Sequence, residues 1–233
     1  DGVLHAGIGF VLNFGWDRKE IKSHLERNLK PEMSARSAAC LLASACNDLY
    51  IDKPGDDTTV AAIKIREKTK VNIMVGPPAD KAHDDLHVSA FLANCDKRVV
   101  CGGTSSQIVA RHLNKQLKTS FDFIDKDVPP IGFIDGIDLV TEGVLTLRKL
   151  LELSKKYLSP SDLTPKNNDK QDGASLLAKI LFEEASHIVF YVGQSVNAAH
   201  QGLPIDTTMK FKLIETLSDN LEKMGKKVVV NYN

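Results

Sequence analysis

The sequence predicts an α/β protein whose sheet is mostly parallel. Three observations carry that prediction. Short apolar runs rich in β-branched residues alternate with longer stretches of helical periodicity from about residue 70 to the end. Most of those runs lead into a turn or loop bearing Gly or Pro. The runs are apolar throughout rather than alternating, as expected of strands covered on both faces.

The elements follow in order. Residues 17–29 read as a helix, with Asp17 as N-cap, Glu20 three positions later, and Ile21, Leu25 and Leu29 on one face. A second helix spans about Ser34 to Tyr50, its stripe formed by Ala38, Leu41, Leu42, Ala45 and Leu49. Lys53-Pro54-Gly55 breaks the chain, and Thr58 to Ile65 reads as a strand from its β-branched content. Charge-rich Arg66 to Lys70 reads as a hinge, dividing the chain into residues 1–66 and an α/β domain over 70–233.

Strand–loop–helix units follow: Val71–Val75 with a helix near 79–94, Arg98–Cys101 with a helix near 105–117, and Ile137–Val140 with a helix near 142–157. The polar, proline-bearing stretch 159–172 reads as an exposed, mobile loop. The last unit has a helix near 173–185, the strand Ile188–Val192, a helix near 207–224, and Lys227–Tyr232. No internal repeat is visible.

Thirty basic residues balance thirty acidic ones, so no net field draws the chain to nucleic acid or to an anionic membrane. No apolar run approaches the ~20 residues that span a bilayer. The chain opens on Asp1-Gly2-Val3 with no initiator methionine, which predicts that residues precede it. Cys40, Cys46, Cys95 and Cys101 form no C-x-x-C pair and fit a reducing cytosol, where cysteine acts as a small hydrophobe.

Two acidic signatures carry the chemistry, Asp1-Gly2-Val3 and Gly55-Asp56-Asp57-Thr58-Thr59-Val60. Hard divalent cations prefer carboxylate oxygens, and two such ions can polarise a phosphoryl oxygen and activate a water. Each signature also occurs as an ordinary turn. Taken with the segments LNFGW, SARSAACLLASACNDLY and KPGDDTTVAAIKI, residues 1–66 resemble the C-terminal third of the PPM family of Mg²⁺/Mn²⁺-dependent protein serine/threonine phosphatases. The resemblance is closest to the bacterial branch containing the stage II sporulation phosphatase.

The resemblance implies that Asp1 and Asp56 are metal ligands in a two-metal Mn²⁺ or Mg²⁺ site. It gives supporting roles to Gly2, through close backbone approach, to Asp57, and to Thr59, which would fix the turn into the strand. It implies a fragment of an α-β-β-α sandwich and a cytoplasmic enzyme that hydrolyses phosphoserine or phosphothreonine in a phosphoprotein substrate. The family's upstream Asp-Gly element and its phosphate-holding basic residue have no counterpart here; Asp135-Gly136 and Asp172-Gly173 stand in the wrong order. The fragment alone is therefore expected to be inactive.

In the second domain, loops after predicted strands contain Gly76-Pro77-Pro78, Gly102-Gly103-Thr104-Ser105-Ser106 and Gly193 to Asn197. Ligands of open parallel sheets gather at such carboxyl ends. Gly102, Gly103, Thr104 and Ser105 suit a small anion, since free N–H groups and hydroxyls would face it. Equally, Ser105 would serve as a helix N-cap. His83, Asp84, Asp85 and His87 lie close on one helix and read as a solvated face rather than a metal site. Glu142 is an ordinary first-turn acid, and His200 a loop histidine. Besides the phosphatase, two alternatives stand: an anion-sensing module accompanying a phosphatase, and a degenerate phosphatase used as a scaffold.

Overall fold

The computed structural model describes residues 1–53, 55–119, 130–159, 172–195 and 205–233, with side chains from Thr208 onward in the last stretch. Pro54, His200, most of the polar stretch 159–172 and the end of the Gly193–Asn197 loop lie outside the described residues. Among the described residues, Asp1–Arg66 form one compact unit, and those from Glu67 onward form a second.

In the first unit, helix α1 (Arg18–Asn28) starts at Asp17, whose carboxylate accepts from the Lys19 and Glu20 N–H groups at 2.6 and 2.9 Å. Helix α2 (Ala35–Leu49) starts at Ser34, whose hydroxyl accepts from Ser37 N–H at 3.1 Å. Both caps satisfy first-turn donors that have no partner within a helix. A small core of Ala6, Trp16, Cys46 and Tyr50 joins the two helices to the first loop, with Val3, Leu12, Ile21 and Leu42 packed around it.

The strand expected over Thr58–Ile65 is absent. The segment takes no regular structure among the described residues, and Ile63 and Ile65 are 92% and 95% exposed. β-branched content makes a strand only where a neighbouring strand takes up the backbone hydrogen bonds. The run is held instead by Lys64, whose ammonium donates to the Pro31 and Met33 carbonyls at 2.6 and 2.8 Å.

The second unit is a mostly parallel sheet with helices on both faces. Its strands are β1 (Lys70–Val75), β2 (Lys97–Cys101), β3 (Lys118–Thr119), β4 (Gly132–Phe133), β5 (Leu139–Thr141), β6 (His187–Val192) and β7 (Lys227–Tyr232). Their order across the sheet is β3-β4-β5-β2-β1-β6-β7. From β5 to β7 every pairing is parallel, while β3 and β4 add a short antiparallel edge. The chain thus builds outward from β1 through β2 to β5, then crosses back to place β6 on the other side of β1.

Alternation along the strands assigns the faces. Val71, Ile73 and Val75 of β1, Val99 and Cys101 of β2, and Ile188, Phe190 and Val192 of β6 enter one core. Helices α5 (Val144–Leu158), α6 (Gly173–Ala178) and α7 (Ile205–Lys223) cover that core through Leu147, Leu150, Leu177, Ile214, Leu217 and Leu221. Met74 and Val100 enter the opposite core with Val88 and Phe91 of α3 (Asp84–Leu92) and Ile108 and Val109 of α4 (Gly103–His112). Each fully buried Leu, Ile or Phe stabilises the fold by about 1.5–3 kcal/mol. Asn72, buried on the α3 face, donates to the Phe91 and Ala93 carbonyls at 2.7 and 3.0 Å and so ties down the end of α3.

Differences from the sequence expectation are local. α3 is preceded by a 3₁₀ turn at Lys81–His83. α4 begins two residues earlier than expected and ends at a turn with Asn114 at φ 52°. The helix near 173–185 is α6 followed by a widened π turn over Lys179–Glu184. No helix among the described residues is long and apolar enough to cross a membrane.

Candidate metal centre and the loops of the second unit

The first sixteen residues fold back on themselves. Gly15 has φ +80°, and a Cβ there would collide with the Leu4 carbonyl. Trp16 N–H then donates to that same carbonyl at 2.8 Å. Glycine in LNFGW therefore lets the loop close, and the turn from Asp1 places His5 beside it through His5 N–H to the Asp1 carbonyl at 3.0 Å.

Gly2 brings the two acidic signatures together. It is buried, and a Cβ at this position would strike the Asp57 carbonyl and lie 2.7 Å from the Thr58 hydroxyl. Its own carbonyl accepts from the Tyr50 hydroxyl at 2.8 Å, which fixes the turn to the end of α2. Asp1 and Asp56 thereby converge, and His5 joins them. One ligand atom from each of the three residues lies within 4.8 Å of the others. Two donors bonded to one Mg²⁺ or Ca²⁺ at about 2.1–2.5 Å stand at most about 4.2–5 Å apart, and a 4.8 Å spread lies at the upper end of that range.

Local hydrogen bonds orient the carboxylates. Asp1 accepts from Gly2 N–H at 3.1 Å, and Asp56 accepts from Asp57 N–H at 2.8 Å. His5 Nδ1 lies 3.9 Å from Asp56 Oδ2, and both side chains are about half exposed. Buried Tyr50 has its phenol pushed above the usual value, first by burial and then by the Asp56 carboxylate, with a Thr58 hydrogen bond opposing. Tyr50 is therefore a neutral donor at physiological pH.

Of the residues singled out from sequence, Asp1, Asp56 and Gly2 meet in one place. Asp57 contributes its backbone, while its side chain lies outside the cluster. The hydroxyl at the turn belongs to Thr58, which reaches the Asp56 carbonyl at 3.5 Å, and Thr59 is exposed. His5 was missed. It carries no spacing signal, since its approach to Asp56 depends on a loop closure that only the folded chain displays.

In the second unit, the HDDLH segment is not a solvated face. Asp84 and His87 are buried; Asp84 binds Arg111 at 2.8 Å, while exposed Asp85 meets His112 at 2.8 Å. His87 accepts at Nδ1 from the Asn233 amide at 3.0 Å, and burial lowers its pKa despite the nearby Asp84 carboxylate. Asp135 pairs with Lys115, and Asp172 caps α6. Glu142 accepts from Leu145 N–H at 3.1 Å at the start of α5.

The crevice between the carboxyl ends of β1 and β6, where the direction of the sheet order reverses, is the usual ligand position in such folds. Here the protein's own Lys210 fills it. That buried ammonium donates to the Gly193 carbonyl at 2.6 Å, and a Cβ on Gly76 would lie 3.0 Å from it. The N-cap of α4 is Gly102, not Ser105, and no side chain caps that helix. Comparison with protein-family models, with curated proteins and with solved structures finds no match to this chain.

Proposed function

We propose that Asp1, His5 and Asp56 form part of a divalent-metal centre in a protein serine/threonine phosphatase of the kind residues 1–66 resemble. The observation that carries this reading is the convergence of three ligand atoms within 4.8 Å from positions 1, 5 and 56. A two-metal centre, when loaded, polarises the phosphoryl oxygen and lowers the pKa of the attacking water. Asp1 and Asp56 supply anionic oxygens, each held by a backbone N–H. His5 supplies an imidazole nitrogen, which tilts the set from Mg²⁺ toward Mn²⁺, since imidazole suits transition ions better. The exposure of all three groups suits a phosphorylated side chain presented by a protein substrate. The resembled family's remaining ligands and its phosphate-holding residue have no counterpart in this chain, so residues 1–66 supply only part of such a centre.

The test has two arms. Mn²⁺ binding to this chain, followed by calorimetry and by the electron paramagnetic resonance of free Mn²⁺, is expected to weaken at least tenfold in Asp56→Asn, about 1.4 kcal/mol. Mn²⁺-dependent hydrolysis of a phosphothreonine peptide by the complete protein is expected to fall by at least a similar factor in the same variant. Equal Mn²⁺ binding by wild type and Asp56→Asn would sink the metal-centre reading. Metal binding without turnover on any phosphopeptide would favour the scaffold instead.

A further inference from the structure

Two helices begin side by side at the carboxyl ends of β2 and β5, and neither N-cap residue caps its helix with a side chain. α4 starts after Gly102 and α5 after Gly143. The two glycines touch: a Cβ on Gly143 would sit 3.5 Å from the Gly102 α-carbon. Gly102 has φ +121°, and a Cβ built on Gly103 meets nothing within 4 Å, so the space in front of α4 is open. Among the described residues, the N–H groups of Gly103, Thr104 and Ser105 donate to no backbone or side-chain acceptor.

A second observation is independent of those termini. Ser105 is 1% exposed and Thr146 is 0% exposed, each the third residue of its helix, and neither hydroxyl has a hydrogen-bond partner. The Ser105 Oγ stands 3.6 Å from where a Cβ on Gly102 would be, so it faces the glycine saddle. An orphaned buried hydroxyl costs free energy, and that of Ser105, on the same helix turn as three free N–H groups, fits an acceptor-rich ligand.

We propose that the Gly102–Gly143 saddle is a binding site for a phosphate group. The donors are the Gly103, Thr104 and Ser105 N–H groups at the positive end of α4, with the Ser105 hydroxyl donating from below. Glu142 is the opposing element. Its carboxylate already occupies the α5 terminus through Leu145 N–H, and it sets a modest affinity by repelling the anion. This site is independent of the metal-centre reading. Its ligand is free phosphate or the phosphate of a small monoester, and the assay separates the two.

The experiment is a titration of the whole chain with inorganic phosphate and, separately, ribose 5-phosphate, followed by amide ¹H–¹⁵N shifts at an ionic strength fixed with sodium chloride. Saturable shifts centred on Gly103, Thr104 and Ser105 are expected. Gly103→Pro deletes one donor at a helix position that accepts proline, and is expected to weaken binding about tenfold while the chain stays folded. Ser105→Ala removes a hydroxyl with no internal partner, so it weakens binding without lowering the unfolding midpoint. Glu142→Gln is expected to tighten binding. Tighter binding of ribose 5-phosphate than of phosphate identifies a monoester, and the reverse identifies the free ion. Non-saturating shifts spread over the surface, or wild-type affinity in both Gly103→Pro and Ser105→Ala, would overturn the proposal.

Discussion

The Tyr50 hydroxyl donates to the Gly2 carbonyl at 2.8 Å across 48 positions of sequence. This bond anchors the turn bearing Asp1 to the end of α2, and Tyr50 is buried at 4% exposure. Tyr50→Phe keeps the ring packing and leaves a buried carbonyl unsatisfied. It is expected to destabilise the first unit by about 1–2 kcal/mol and to weaken Mn²⁺ binding, as read by denaturant unfolding and by calorimetry.

Gly2→Ala probes the same junction sterically. The added methyl would fall on the Asp57 carbonyl, which is backbone and cannot rotate away. The two acidic turns must separate, so loss of Mn²⁺ binding should exceed that of Tyr50→Phe, with a cost of about 1–3 kcal/mol for overpacking. Mn²⁺ affinity equal to wild type in Gly2→Ala would show that the contact does not set the spacing of Asp1 and Asp56.

His87 makes the second unit sensitive to acid. Burial lowers its pKa from the ordinary 6.5, so the unfolded chain binds the proton more readily than the folded one. Its contribution is fully present above pH 6.5 and is lost as pH falls below that value toward the folded pKa. The Asn233 amide and the Tyr191 ring face it, and the Asp84 carboxylate partly offsets the shift. Urea midpoints measured from pH 7.5 to 5 should fall less steeply in His87→Phe than in the wild type.

Thiol reactivity should follow burial. The Cys101 thiol is pushed up to about 12 by complete burial, against a weak opposing hydrogen bond from Thr141. Cys95 is only half-buried and also raised, mainly by burial. Since the thiolate is the nucleophile, iodoacetamide at pH 8 should label Cys95 first and Cys101 only on unfolding, as read by peptide mass spectrometry.

The sequence by itself determined much of the local architecture. Asp17 and Ser34 are short polar acceptors placed before amphipathic runs, so both helix starts were legible. Apolar runs such as Val71–Val75 and Ile188–Val192 have no polar face, which made a doubly covered parallel sheet the natural reading. The two acidic turns also stood out in the sequence, and the fold brings a ligand atom of Asp1 within 4.8 Å of one of Asp56.

Tertiary structure decided the rest. Thr58–Ile65 has strand composition, yet a strand needs a neighbour, and Lys64 holds the run by its side chain instead. The sheet order depends on which helix crosses which face, a choice that no local pattern encodes. Lys210 reads as one helical lysine among thirty basic residues, and only the fold shows it filling the crevice beside Gly193. His5 is ordinary in sequence for the same reason. Its chemistry comes from Asp56, 51 residues away, and long-range contacts exist only once the chain has closed on itself.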